Sequence, residues 1–114
     1  MGFLTKAAIL AADDTKYDTV PCPEWGGDVR VRGLTAYEQS IVAKLVQDEK
    51  KNEITLKVVQ FGCVDENGDR LFTGSDVKDL AQKSYPIIER IGKAIVKLTG
   101  MGGEDEIEAY RKNS

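Results

Sequence analysis

Histidine is absent from the sequence, and this restricts the chemistry that the chain could perform. Without an imidazole there is no Ser–His or Cys–His nucleophile, no histidine metal ligand and no histidine general base. Two isolated cysteines, Cys22 and Cys63, cannot build a structural zinc site by themselves. We expect them to be reduced thiols, with a disulfide as the alternative. The sequence therefore predicts a protein that is not an enzyme.

An acidic segment after residue 64 resembles part of a calcium-binding loop. Asp65, Asn67 and Asp69 have the spacing of the first three ligands of an EF-hand, and Asp76 stands at the twelfth position. However, Arg70 occupies the sixth position, where such a loop needs glycine, and the twelfth residue is not glutamate. We interpret the segment as a polar Asn-Gly turn and predict no metal ion and no other cofactor.

The distribution of charged and of apolar residues argues against two classes of partner. The chain has 16 basic and 19 acidic residues, a net charge of -3, and the two signs are interspersed. Nucleic-acid binders usually carry a basic face, because neutralisation of phosphates supplies much of their affinity. No apolar run approaches the roughly 18 residues of a membrane span. We therefore expect neither a nucleic-acid partner nor a membrane partner.

The length of 114 residues predicts one domain. We place this single globular domain at 1–103, followed by a polar tail at 104–114 that is either flexible or helical. Residues 3–12 have modest helical character and predict a short helix or an ordered arm. The expected fold class is mainly α (α+β): an N-terminal β-hairpin, then a compact bundle of about four helices, then the flexible polar C-terminal tail.

The hairpin is predicted at about 17–32. Two alternating β-type runs flank a turn that contains Gly26 and Gly27. In the second run, Val29 and Val31 would face the core and the intervening arginines would face water. Pro21 lacks an N–H donor, so its strand should lie at an edge of the sheet.

The first core helix is predicted at about 35–48. Thr35 can cap its free amides, and Glu38 three residues later completes a capping box. Apolar residues then follow one another on one face at i, i+4 spacing: Tyr37, Ile41 and Leu45.

The segment 54–64 fits two structures. Its apolar residues surround a helix on all sides, which is typical of a buried helix. They also alternate as in a strand, and Asn67-Gly68 could then turn the chain into a hairpin with 70–72. We favour the helix.

Two further helices are predicted at about 75–83 and 86–99. Ser75 is expected to begin the first, and Pro86 is well placed in the first turn of the second. Gly100 should end the second helix. Its apolar stripe is wide: Ile87, Ile88, Ile91, Ala94, Ile95 and Leu98.

Three residues are candidates for binding a protein partner. Trp25, in the hairpin turn, either packs on the hairpin or stands out as a contact anchor, since tryptophan is enriched among residues that dominate interfaces. Most of the apolar stripe must be core in a domain this small. One edge of it, with Ile87 and Val96, could remain available to a partner. We predict no catalytic, cofactor-binding or metal-binding residues.

The order of these elements resembles the tail assembly chaperone family of long-tailed bacteriophages and prophages. The resemblance covers about 18–112. Its first part is the hairpin and helix start: Val20-Pro21, Pro23-Glu24-Trp25-Gly26-Gly27, Val29, Val31-Arg32, Leu34-Thr35 and Glu38. Its second part follows the apolar segment: Val64-Asp65-Glu66-Asn67-Gly68, Leu71-Phe72-Thr73, Asp76-Val77, Leu80, Lys83-Ser84 and Leu98-Thr99-Gly100.

This resemblance implies a mostly helical protein that works in the host bacterial cytoplasm and is absent from the mature virion. It implies binding to the tape measure protein, which is thereby kept soluble, and help in recruiting tail tube protein subunits. It also allows a homo-oligomer and a longer, frameshifted form. The alternative function is that of a structural tail or connector component of a phage particle.

Overall fold

The computed structural model describes residues 2–100, apart from the side chains of Lys51 and Asn52. The predicted tail at 104–114 lies outside the described residues. Within them the chain forms five α-helices and one antiparallel sheet of three strands. In chain order these are α1 Lys6–Ala11, β1 Tyr17–Cys22, β2 Gly27–Arg32, α2 Ala36–Gln47, α3 Lys51–Gly62, β3 Cys63–Val64, α4 Val77–Leu80 and α5 Tyr85–Thr99. The predicted fold class, an N-terminal hairpin followed by helices, is confirmed.

The hairpin has the predicted strands and an edge at the predicted side. The strand order is β1-β2-β3, so β1, which contains Pro21, lies at one edge. Tyr17 is opposite Arg32 and Cys22 is opposite Gly27. Val31 is fully buried and Val29 is partly buried, as the alternation predicts.

The arginines of β2 do not face water as expected. The Arg30 guanidinium lies 4.1 Å from the centre of the Tyr17 ring and donates hydrogen bonds to the carbonyls of Asp65 and Glu66. The Arg32 side chain is only 11% exposed, because it is paired with Glu38. The loop after β3 and the start of α2 cover this side of the strand, and an alternating pattern cannot reveal such coverage.

The capping box at the start of α2 is confirmed. Thr35 Oγ1 accepts a hydrogen bond from the Glu38 amide at 3.1 Å, and the Glu38 carboxylate accepts one from the Thr35 amide at 2.9 Å. The face of α2 that is fully buried is nevertheless that of Glu38 and Val42. Tyr37 is 74% exposed.

The ambiguous segment is a helix that ends in a short strand. α3 stops at Gly62, and Cys63–Val64 then pairs with β2. Val64 also forms an isolated bridge with Arg70. The helix interpretation of 54–64 is thus confirmed for most of the segment, while a remnant of the alternative hairpin exists around the Asn67-Gly68 turn.

The helix predicted at 75–83 is tighter and shorter than expected. A 3₁₀ turn, Gly74–Asp76, precedes the four-residue α4. Thr73, not Ser75, begins it, since the Thr73 amide donates to the Asp76 carboxylate at 2.7 Å. After α4 the chain continues with bonds between residues three apart, as far as Lys83.

α5 is the central helix of the core. Its buried residues include Ile91 and Ile95, and Gly100 ends it with φ of 74°, as predicted. α5 lies close against α3: a Cβ atom added at Gly62 would come within 2.5 Å of Ile95. α5 also packs against both strands of the hairpin. It contacts the tip through Arg90 and the base through Thr99, whose hydroxyl accepts the Leu34 amide at 2.9 Å.

Candidate partner-binding surface

The tip of the hairpin presents Trp25 to solvent. Pro23–Trp25 forms a 3₁₀ turn that Gly26 closes with φ of 84°, and the Gly26 amide donates to the Pro23 carbonyl at 3.0 Å. A left-handed residue at this place favours glycine. Trp25 is 40% exposed. The tip is therefore a short, defined turn with an accessible indole.

Arg90 of α5 holds this tip in place. Its guanidinium donates to both carboxylate oxygens of Glu24, at 2.9 and 2.7 Å, and to the Pro21 carbonyl at 3.1 Å. The hydrogen bonds from Arg90 are the main reason that the pKa of the Glu24 carboxyl falls to about 2. A forked pair of this kind fixes direction as well as distance. The position of Trp25 is thereby tied to α5.

The three predicted partner-binding residues do not form one exposed patch. Ile87 is only 6% exposed and packs in the core, so it offers little area to a partner. Val96 is partly buried and packs against that core. It lies six residues beyond Arg90, roughly 9 Å along the helix axis. Trp25 is the most accessible of the three. The residue of α5 that binds the adjacent Glu24 is Arg90, which sequence reasoning had not selected.

An apolar N-terminal arm is a second accessible surface. α1 follows a Thr5 cap and contains no buried residue. Four large apolar side chains between residues 3 and 10 are exposed: Phe3, Leu4, Ile9 and Leu10. The apolar run was visible in the sequence, but its exposure was not, because a run of this length can equally well pack on a core. Besides Trp25, other exposed large side chains of the described residues are Tyr17, Tyr37, Leu71 and Tyr85.

A charged cluster is buried between β2, α2 and the loop after β3. Glu38 is 2% exposed and binds Arg32 through both carboxylate oxygens, at 2.8 and 2.9 Å, and also Arg70. Burial alone would raise the pKa of the Glu38 carboxyl. Hydrogen bonds from Arg32, the Thr35 amide and Arg70 outweigh it and lower that pKa to about 2. The cluster joins three elements and stabilises their packing.

The acidic loop is a turn, as the sequence predicts. One Asp65 oxygen accepts the amides of Asn67 and Asp69, at 2.8 and 3.0 Å, and Gly68 has φ of 84°. This oxygen of Asp65 is therefore occupied by backbone donors. In the part of the chain that the structure describes, no three His, Cys, Asp or Glu side chains are placed to hold a metal ion.

Both cysteines are free and buried. Burial, with a smaller contribution from Cys22, raises the pKa of the Cys63 thiol to about 12. A thiol with such a pKa is neutral at physiological pH and a poor nucleophile. Cys63 packs as a small apolar side chain.

A polar cleft of about 380 Å³ lies at the base of the hairpin. It is lined by 14–16, by 33–36 at the start of α2 and by 97–100 at the end of α5. Its cationic side chains, Lys16 and Lys97, are exposed. Among residues 2–100, no helix is both long and apolar enough to cross a lipid bilayer.

The protein resembles known proteins in structure rather than in sequence. No family model matches the chain, and no curated protein has a significantly similar sequence. The structure of the bacteriophage HK97 tail assembly chaperone superposes with a TM-score of 0.65, over 79% of this chain and 88% of that one. This chain shares the fold of a phage tail assembly chaperone. At 17% identity the similarity concerns the fold, and it agrees with the fold that the sequence resemblance implied.

Proposed function

We propose that the protein is a phage tail assembly chaperone. In this role it binds the tape measure protein, keeps it soluble and helps to recruit tail tube subunits in the host bacterial cytoplasm, without entering the mature virion. The observation that carries the proposal is the fold shared with the HK97 tail assembly chaperone over most of both chains. The role requires no catalytic residue and no cofactor.

The accessible apolar side chains support this role. A long helical client is recognised by burying its apolar face against apolar surfaces of the binder. The arm with Phe3 and Leu10 and the tip with Trp25 offer such surfaces in the described part of the chain. Many weak contacts become strong when copies line up along one polymer, so a homo-oligomer would suit the role. The interspersed charges do not suit nucleic acid as a partner, and no apolar run in the sequence approaches the length of a membrane span.

Co-expression of this protein with the tape measure gene that neighbours its own gene tests the proposal. We expect the tape measure protein to be soluble and to co-purify with this chain, and to be insoluble when expressed alone. A tape measure protein that stays insoluble and does not co-purify would contradict the proposal. Mass spectrometry of purified particles separates the alternative, since a structural tail or connector component would be present in them.

A matched pair of variants locates the contact. Trp25→Ala should reduce the amount of tape measure protein that co-purifies, because the indole on the fixed tip is removed. Tyr37→Ala is the control, since Tyr37 is exposed but lies at the start of α2, beyond the other end of β2. Equal loss in both variants would argue against the tip as a specific contact.

A further inference from the structure

The strand β1 forms one edge of the three-stranded sheet. In the described sheet β1 pairs only with β2, so one side of the strand has no strand neighbour. Such an edge presents backbone N–H and C=O groups that can pair with a strand from another chain. Association by strand addition needs several of these groups at once.

The register identifies which groups point outward. In an antiparallel pair, residues alternate between those that exchange hydrogen bonds with the partner strand and those whose N–H and C=O point away. The Gly33 amide donates to the Lys16 carbonyl at 3.0 Å, so this pair is of the exchanging kind. Since the register continues without a bulge, the outward-pointing residues of β1 are Tyr17, Thr19 and Pro21.

At two of these three residues, backbone groups that a new strand would need are already satisfied or missing. The Thr19 amide donates to the carboxylate of Asp18 at 2.8 Å. Pro21 has no amide hydrogen, and its carbonyl accepts the Arg90 guanidinium at 3.1 Å. An incoming strand would therefore meet a satisfied donor at Thr19, and at Pro21 no donor and an occupied acceptor.

We propose that Asp18, Pro21 and Arg90 together close the edge of β1 to strand addition. Neither a second copy of this chain nor an extended segment of another protein then pairs with the sheet here, and association at this edge is left to side chains. Arg90 acts in two ways, because the same guanidinium holds Glu24 and covers the Pro21 carbonyl. The inference is independent of the proposed function.

Amide hydrogen exchange at Thr19, measured on the full chain at rising protein concentration, tests the proposal. In the wild-type chain the exchange rate should not depend on concentration. In the folded variant Asp18→Ala/Pro21→Val/Arg90→Ala we expect it to fall by about tenfold as copies pair through the opened edge, together with a concentration-dependent doubling of mass in sedimentation. Glu24→Gln is the matched control, since it neutralises the carboxylate that Arg90 binds and leaves Asp18, Pro21 and Arg90 in place. It should keep wild-type exchange and mass.

Two results would overturn the proposal. One is a wild-type chain in which Thr19 exchange slows with concentration, since the edge would then be in use. The other is a cooperatively melting triple variant that keeps wild-type exchange and mass. If the triple variant does not melt cooperatively, Asp18→Ala/Pro21→Val/Arg90→Met, which keeps an unbranched side chain at position 90, decides. Protection that grows with concentration at the amide introduced at position 21 supports closure, and its absence contradicts it.

Discussion

Two glutamates of this protein have a similarly lowered pKa in different surroundings. Glu38 is buried between two arginines from other elements, whereas Glu24 lies at the exposed tip and is bound by Arg90 alone among the described side chains. Both carboxyls have a pKa of about 2. A lowered pKa thus reports local hydrogen bonding, while the effect on stability depends on how much water the folded protein excludes around the pair.

The two sites also connect different parts of the fold. The Glu38 cluster joins β2, α2 and the loop after β3, so its loss would leave two guanidiniums near a buried gap. The Glu24–Arg90 pair joins the hairpin tip to α5, and its loss returns both groups to water. We therefore expect the Glu38 cluster to determine global stability and the Glu24–Arg90 pair to determine the local order of the tip.

The largest effect should come from Glu38→Gln. Removing one charge of a buried ionic cluster leaves the others uncompensated, and we expect a loss of about 3 kcal/mol in the free energy of unfolding. Urea denaturation monitored by circular dichroism measures it. Glu24→Gln is the matched control and should unfold close to wild type. If the two variants were equally stable, the distinction between the sites would be wrong.

The next effect is the loss of stability in acid. A carboxyl whose pKa is lower in the folded than in the unfolded chain stabilises the fold above its unfolded value, about 4.5, and this contribution disappears as the pH falls towards about 2. Unfolding measured at a series of pH values should thus show declining stability across this window. Glu38→Gln should flatten the decline. If the stability of Glu38→Gln declined as steeply as that of the wild-type chain, other carboxyls would be the cause of the acid sensitivity.

The smallest effect on stability is expected for Glu24→Gln, which should instead change the tip. Loss of the charged pair should loosen the turn, seen as faster amide exchange at Trp25 and a shifted indole fluorescence, with a nearly unchanged unfolding midpoint. Because the pair is exposed, added salt should weaken it in the wild-type chain in the same direction. An unchanged tip in Glu24→Gln would show that the 3₁₀ turn and Gly26 suffice to hold it.

Much of the fold was predictable because its signals are local. The Thr35 cap and Gly100 at the end of α5 act within a few residues of where they stand. The length of α4 was not predictable, since after Leu80 the chain tightens into turns. The end of α3 at Gly62 was missed for a different reason: residues 63–64 pair with β2, which is more than thirty residues away in the chain.

The candidate surface was predicted only in part. Trp25 was selected because of its residue type and its place in a turn, and it is accessible. Ile87 was assigned to the margin of an apolar stripe, but its side chain is buried in the core. The exposed arm was not selected, because exposure depends on what the rest of the molecule leaves uncovered.

The amino-acid order specified the elements: alternation predicted the hairpin, Pro21 required an edge strand, and the absence of histidine excluded histidine-based catalysis and metal ligation. The folded arrangement settled which charges are buried and which edges are closed. Glu38 is a helix-capping residue in the sequence, and it becomes a buried ion only because Arg32 and Arg70 reach it from two other elements. Arg90 is an ordinary residue of α5 until the packing of that helix brings its guanidinium to Glu24 and to the Pro21 carbonyl. Such contacts join residues that are distant in the chain, and local patterns carry no information about them.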